Sequence, residues 1–92
     1  MPRARRDVMA SLERKGFSPS EGDHTYYFYY TFENKKTIVK TKVSHSGKDI
    51  DDNLLNRMAH QCKLTNAQFR ALVDCPLSRE QYEAILQQHG VA

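Results

Sequence analysis

Hydrophobic and polar positions divide the chain into an alternating centre and two helix-spaced flanks. Thr37, Val39, Thr41 and Val43 alternate with Lys36, Lys40 and Lys42, the period of two that gives a strand one core face and one wet face. The lysine face is expected outward. Ahead of it stands Thr25-Tyr26-Tyr27-Phe28-Tyr29-Tyr30-Thr31-Phe32, whose β-branched and aromatic composition suits a pleated surface. The even positions Tyr26, Phe28, Tyr30 and Phe32 include both phenylalanines of this run, so the even set is assigned inward. That choice leaves Tyr27 and Tyr29 on the open face. Glu33-Asn34-Lys35-Lys36 reads as a short hairpin connection between the runs. Phe17-Ser18-Pro19-Ser20-Glu21 predicts an edge strand, where the N–H that Pro19 lacks is not needed. Gly22-Asp23 turns the chain into the tyrosine-rich strand.

The flanks carry helical spacing. Val8, Met9 and Leu12 share one face of a helix from about Asp7 to Lys15, with Gly16 as its left-handed stop and Phe17 as the anchor beyond. Met1 to Arg6 is basic, has no apolar neighbours and is expected to fray. Past Ser46-Gly47-Lys48, Asp49 is assigned as the N-cap of a helix running to about Lys63. Its stripe is Ile50, Leu54, Met58 and Cys62, widened by Leu55 and Ala59. Thr65 to Gln68 and Ser78 to Gln81 are capping boxes that open two short helices, separated by Pro76 and stopped at Gly90. The expected class is α+β: a three-stranded antiparallel sheet with helices on one face and the other face open. Helix, three strands, helix is also the α-β-β-β-α order of double-stranded-RNA-binding domains. Residues 1–75 are assigned to that domain and 76–92 to a C-terminal helical extension packed on it.

Composition narrows the classes. With 92 residues there is room for one core. No apolar run approaches the roughly 20 residues that cross a bilayer, so no membrane partner is expected. The N-terminus lacks a hydrophobic signal segment, which leads to a cytoplasmic expectation. Cys62 and Cys75 are too few for a disulfide scaffold and are read as free, half-buried thiols. The net charge of +3 is unevenly spread: residues 1–48 hold ten Lys/Arg against five Asp/Glu, and residues 49–92 hold four against six. The basic first half favours a polyanion, and an acidic protein partner would fit as well.

Two histidines stand at the outer ends of the hairpin, His24 and His45, and antiparallel pairing brings such ends together. Beside them lie Lys36, Lys40, Lys42 and Lys48, and on the expected open face Tyr27 and Tyr29. Cations next to aromatic rings suit phosphates and stacked bases. A lysine stripe also serves as a solvated face or as protection of a strand edge, and strand-end histidines often bond only to backbone. His60, Cys62, Cys75 and His89 lack the close cysteine pair of structural zinc, and His60 and Cys62 diverge on a helix; no metal or cofactor is expected. The last two helices have the wrong charge for a DNA-reading helix-turn-helix.

Three motifs together resemble the HicA-type toxins, the small ribonucleases of HicAB toxin–antitoxin pairs. They are Leu12-Glu13-Arg14-Lys15-Gly16-Phe17 closing the first helix, Gly22-Asp23-His24 opening the tyrosine strand, and His45-Ser46-Gly47-Lys48-Asp49-Ile50 leading into the Leu-rich helix. The likeness covers roughly residues 6 to 72. It departs in reading Gly-Asp-His where the family usually has Gly-Ser-His, and in lacking a basic lead-in to that glycine. The resemblance implies a double-stranded-RNA-binding-like fold that cleaves mRNA without a metal and is restrained by a cognate antitoxin protein. It also implies that His24 is the catalytic histidine, with His45 as the second. The chemistry is coherent, since imidazole can exchange a proton with a ribose hydroxyl near neutral pH while lysines hold the phosphate. The alternative from another class is a non-catalytic RNA-binding or protein-interaction domain of the same fold; a purely structural domain is a third.

Overall fold

Tyrosine packing, not phenylalanine packing, organises the sheet. In this computed structural model, which describes residues 2–92, the central strand is β3 (Thr25–Tyr30), flanked by β2 (Phe17–Glu21) and β4 (Lys36–Val43) in an antiparallel meander. Phe17 pairs with Tyr29 and Glu21 with Thr25; Thr25 pairs with Val43, Phe28 with Lys40 and Tyr30 with Lys36. A register irregularity lies between Phe28 and Tyr30. There the Thr37 hydroxyl donates to the Tyr29 carbonyl at 2.9 Å and accepts from the Val39 N–H at 3.2 Å, so a side chain bonds backbone groups where the ladder is interrupted.

The inward set of β3 is the odd one. Thr25, Tyr27 and Tyr29 are buried, both tyrosines completely, while Tyr26, Phe28 and Tyr30 are half-exposed. The expected assignment is thus reversed. A tyrosine can lie in a core if its hydroxyl reaches a polar rim: Tyr27 donates to Glu13 Oε2 at 3.2 Å and Tyr29 to Glu83 Oε1 at 2.6 Å. Burial first, then those carboxylates, push both phenols up to about 12. Thr37, Val39, Thr41 and Val43 face inward as their alternation predicts, with Lys36, Lys40 and Lys42 exposed.

Four helices lie among the described residues: α1 (Arg5–Arg14), α2 (Asp52–Gln61), α3 (Asn66–Val73) and α4 (Arg79–Gln88). They cover the Tyr27/Tyr29 face in one hydrophobic cluster. Val8 and Leu12 enter it from α1, Leu55, Met58 and Ala59 from α2, Phe69 and Leu72 from α3, and Tyr82 and Leu86 from α4. The Gln61 side chain of α2 accepts from the buried Thr41 hydroxyl at 2.7 Å. Tyr82 stacks on Phe17 at 5.7 Å and meets Tyr29 edge-on at 5.0 Å, while its hydroxyl donates to the Cys62 carbonyl at 2.9 Å. Both capping boxes form, at Thr65 and Ser78.

Three further expectations are corrected. The N-cap of α2 is Asp51, whose side chain accepts from Leu54 N–H at 2.8 Å; Asp49–Ile50 instead forms a short strand, β5, against Arg3–Ala4. Leu54, in the first turn of α2, is 44% exposed rather than buried in the stripe. The basic N-terminus is tied down by this pairing and by Arg3, which clasps Asp74 with Nε at 2.9 Å and Nη2 at 2.8 Å; Met1 lies outside the described residues. Finally, Cys62 is buried and Cys75 exposed, so neither is half-buried. Desolvation pushes the Cys62 thiol up to about 12. Among the described residues no helix is long and apolar enough to cross a membrane.

Candidate functional site

The open end of the sheet gathers the candidate chemistry, and the turn before β3 sets its geometry. Gly22 N–H donates to the His24 carbonyl at 3.0 Å. Asp23 then clamps both of its neighbours: one carboxylate oxygen accepts the His24 backbone N–H at 3.1 Å and the Tyr26 hydroxyl at 2.8 Å. The Tyr26 bond chiefly holds the Asp23 carboxyl below the ordinary carboxylate range, with the His24 charge adding to it; the same bond pushes the Tyr26 phenol up. Asp23 therefore fastens the loop on which His24 stands, a task any short acceptor at this position can perform.

Because Thr25 pairs with Val43, the segments outside those residues come together. The rings of His24 and His45 lie 6.5 Å apart between centroids, and His24 lies 6.3 Å from the Tyr26 ring. His24 is half-buried and His45 exposed. His45 Nε2 is 3.9 Å from Glu21 Oε2, at the end of β2, and Glu21 also accepts from the Thr25 hydroxyl at 2.6 Å. The convergence expected of the two histidines is thus present, and Glu21 joins them through the β2–β3 register.

The aromatic and cationic face is present, with different aromatics. Tyr27 and Tyr29 are sealed in the core and have no ring face to offer. Their places are taken by Tyr26 and Phe28, which stand opposite Lys42 and Lys40. Lys36 Nζ lies 4.1 Å from the Phe28 ring centre, and Lys40 Nζ lies 4.8 Å from Tyr26 and 5.9 Å from Phe28. These are cation–π distances. The lysines thus form one ribbon with two rings. Lys48 lines a cleft with Arg5, Arg6 and Asp49.

No protein-family model, curated protein or solved structure matches this chain. Its chemistry therefore stands on these groups. Beside His24 opens a cavity of about 410 Å³ whose rim includes Arg5, Lys42 and Arg57. Arg5 is anchored there, its Nε donating to the Ser44 carbonyl at 2.5 Å. Neither Arg5 nor Arg57 stands out in the sequence, since each sits on a helix outside the hairpin at whose ends the histidines stand. Among the described residues no group of three or more His, Cys, Asp or Glu side chains is placed to hold a metal ion. Two imidazoles with cations nearby can exchange protons with a ribose hydroxyl and hold charge on its phosphodiester.

Proposed function

We propose that this protein is a HicA-like, metal-independent endoribonuclease with a double-stranded-RNA-binding-like fold, acting on mRNA and held in check by a cognate antitoxin. The observation that carries the reading is the His24–His45 pair, 6.5 Å apart, at the head of the lysine ribbon. One imidazole removes the proton of a ribose 2′-hydroxyl as that oxygen attacks the adjacent phosphorus. The P–O5′ bond breaks, and the leaving 5′-oxygen takes a proton from the other imidazole in its cationic form. The products are a 2′,3′-cyclic phosphate and a 5′-hydroxyl, so atoms and charge balance without a further reactant. His24 carries one of these proton transfers and His45, as its acid–base partner, the other. Lys42 and Lys40 hold the backbone, and Tyr26 and Phe28 offer faces to bases.

The three-stranded meander with helices on its Tyr27/Tyr29 face supports the fold part of the reading. Asp23, the departure from the family motif, bonds backbone and Tyr26 rather than an imidazole. That leaves the His24 ring available for substrate. Replacing His24 by Ala tests the proposal: cleavage of a labelled transcript and growth toxicity should fall by about 10²-fold or more, with an unchanged circular dichroism spectrum. Full cleavage by a folded His24→Ala protein would remove His24 from the mechanism. If both proteins bind RNA and neither cuts, the non-catalytic RNA-binding alternative takes its place.

A further inference from the structure

We infer that the cavity beside His24 is a nucleotide subsite, which takes one base and its phosphate next to the cleaved bond. The inference rests on the nuclease reading for its biological meaning but not for its geometry. The volume of about 410 Å³ lies within the ~300–1,000 Å³ of small-ligand pockets. Its lining is mixed in chemistry. Val43, Ile50, Met58 and Leu54 contribute apolar groups from the end of β4, β5 and α2, with Leu54 the exposed one of the four. Arg5, Lys42 and Arg57 contribute three cations against one carboxylate, Asp49. Apolar groups among cations complement a nucleotide, whose flat base sheds water readily and whose phosphate does not.

Two further observations direct the choice of occupant. Leu54 is one of the large apolar side chains left exposed, and it lines this cavity with Arg57 rather than joining the buried stripe of α2. His24 and Lys42 line the same cavity, so a phosphate at its mouth lies where an imidazole reaches it. Asp49, Ser44 and Ser46 complete the rim. They supply the acceptors and hydroxyls that bond base edges and sugar hydroxyls. An extended RNA on the sheet would thus place one nucleotide in the cavity, and base preference at the cut would be set there.

The test uses the full chain and binding alone. Uridine and adenosine 3′-monophosphate are titrated into the ¹⁵N,¹³C-methyl-labelled protein, with inorganic phosphate and the unphosphorylated nucleosides as comparisons. The expected result is saturable shifts confined to the Ile50, Leu54 and Met58 methyls and the Ser44–Asp49 amides, with either comparison weaker. Leu54→Ser and Arg57→Ala, both at exposed positions, should each weaken mononucleotide binding about ten-fold. Phosphate binding as well as the nucleotide does, or shifts that leave these methyls untouched, would overturn the subsite. So would binding of an acidic peptide at the same methyls in preference to nucleotides. Cleavage by the wild type with no such binding removes the subsite and spares the nuclease; binding without cleavage does the reverse.

Discussion

Asp23 shows how much of the site depends on one side chain that performs no chemistry. Its single oxygen fastens the His24 amide and the Tyr26 hydroxyl, so the loop holding the imidazole and the ring nearest it share one anchor. Replacing Tyr26 by Phe removes the leading cause of the depressed Asp23 carboxyl. The Asp23 titration followed by carboxyl ¹³C NMR should move upward toward the usual carboxylate range. The sign for stability follows. A carboxyl depressed in the folded state favours folding above its unfolded pKa, and that contribution is lost as pH falls through the folded value. The Tyr26→Phe protein should therefore lose less of its stability on acidification than the wild type does. At this scale the sequence was legible in part: the Gly-X-His turn and both histidines could be read, but the anchoring role of Asp23 needed Tyr26 on the same face.

Among the strands of the meander, β3 is the one whose inward face differs from the expectation, and the pairing with β4 supplies the means to place it. The Thr31 N–H donates to the Lys35 carbonyl at 2.9 Å across the hairpin, and Phe28 faces Lys40. In this register, residues of like parity stand opposite each other and share a face. Lysines at even positions of β4 therefore demand even positions of β3 on the open side. Choosing the face by phenylalanine count ignored that constraint, and it ignored how readily tyrosine hydroxyls reach carboxylates at the core rim. The corrected face yields a prediction: Phe28→Ala should weaken binding of single-stranded RNA by about 1–3 kcal/mol in a fluorescence-anisotropy titration, with thermal stability nearly unchanged because Phe28 is outside the core. The stop of α1 was read correctly for a reason that extends beyond the turn. Gly16 has φ +98°, and a Cβ there would meet the Arg79 guanidinium and the Tyr29 ring. Gly16→Ala should cost on the order of 2–4 kcal/mol from backbone strain and overpacking together, measured by urea denaturation.

Across the whole molecule, α4 joins the sheet to the end of the chain. Tyr82 bridges Phe17, Tyr29 and the Cys62 carbonyl, and the Arg79 guanidinium lies 4.2 Å from the Phe32 ring centre while donating to the Tyr30 carbonyl at 2.9 Å. Periodicity showed that this helix exists; it could not show what the helix covers, because the partners are distant in sequence. The same limit applies to the cavity, whose cations come from α1, β4 and α2. Class, strand order and the two capping boxes were legible because they depend on neighbours in sequence, whereas the site depends on register. The central claim is that an imidazole drives a ribose hydroxyl onto its own phosphate, and product chemistry reads this most directly. Purified protein in excess chelator is given a labelled RNA and its 2′-O-methylated counterpart. The account predicts that the RNA is cut to a 2′,3′-cyclic phosphate end while the methylated strand stays whole. Cutting of both strands alike, or of neither, would contradict it.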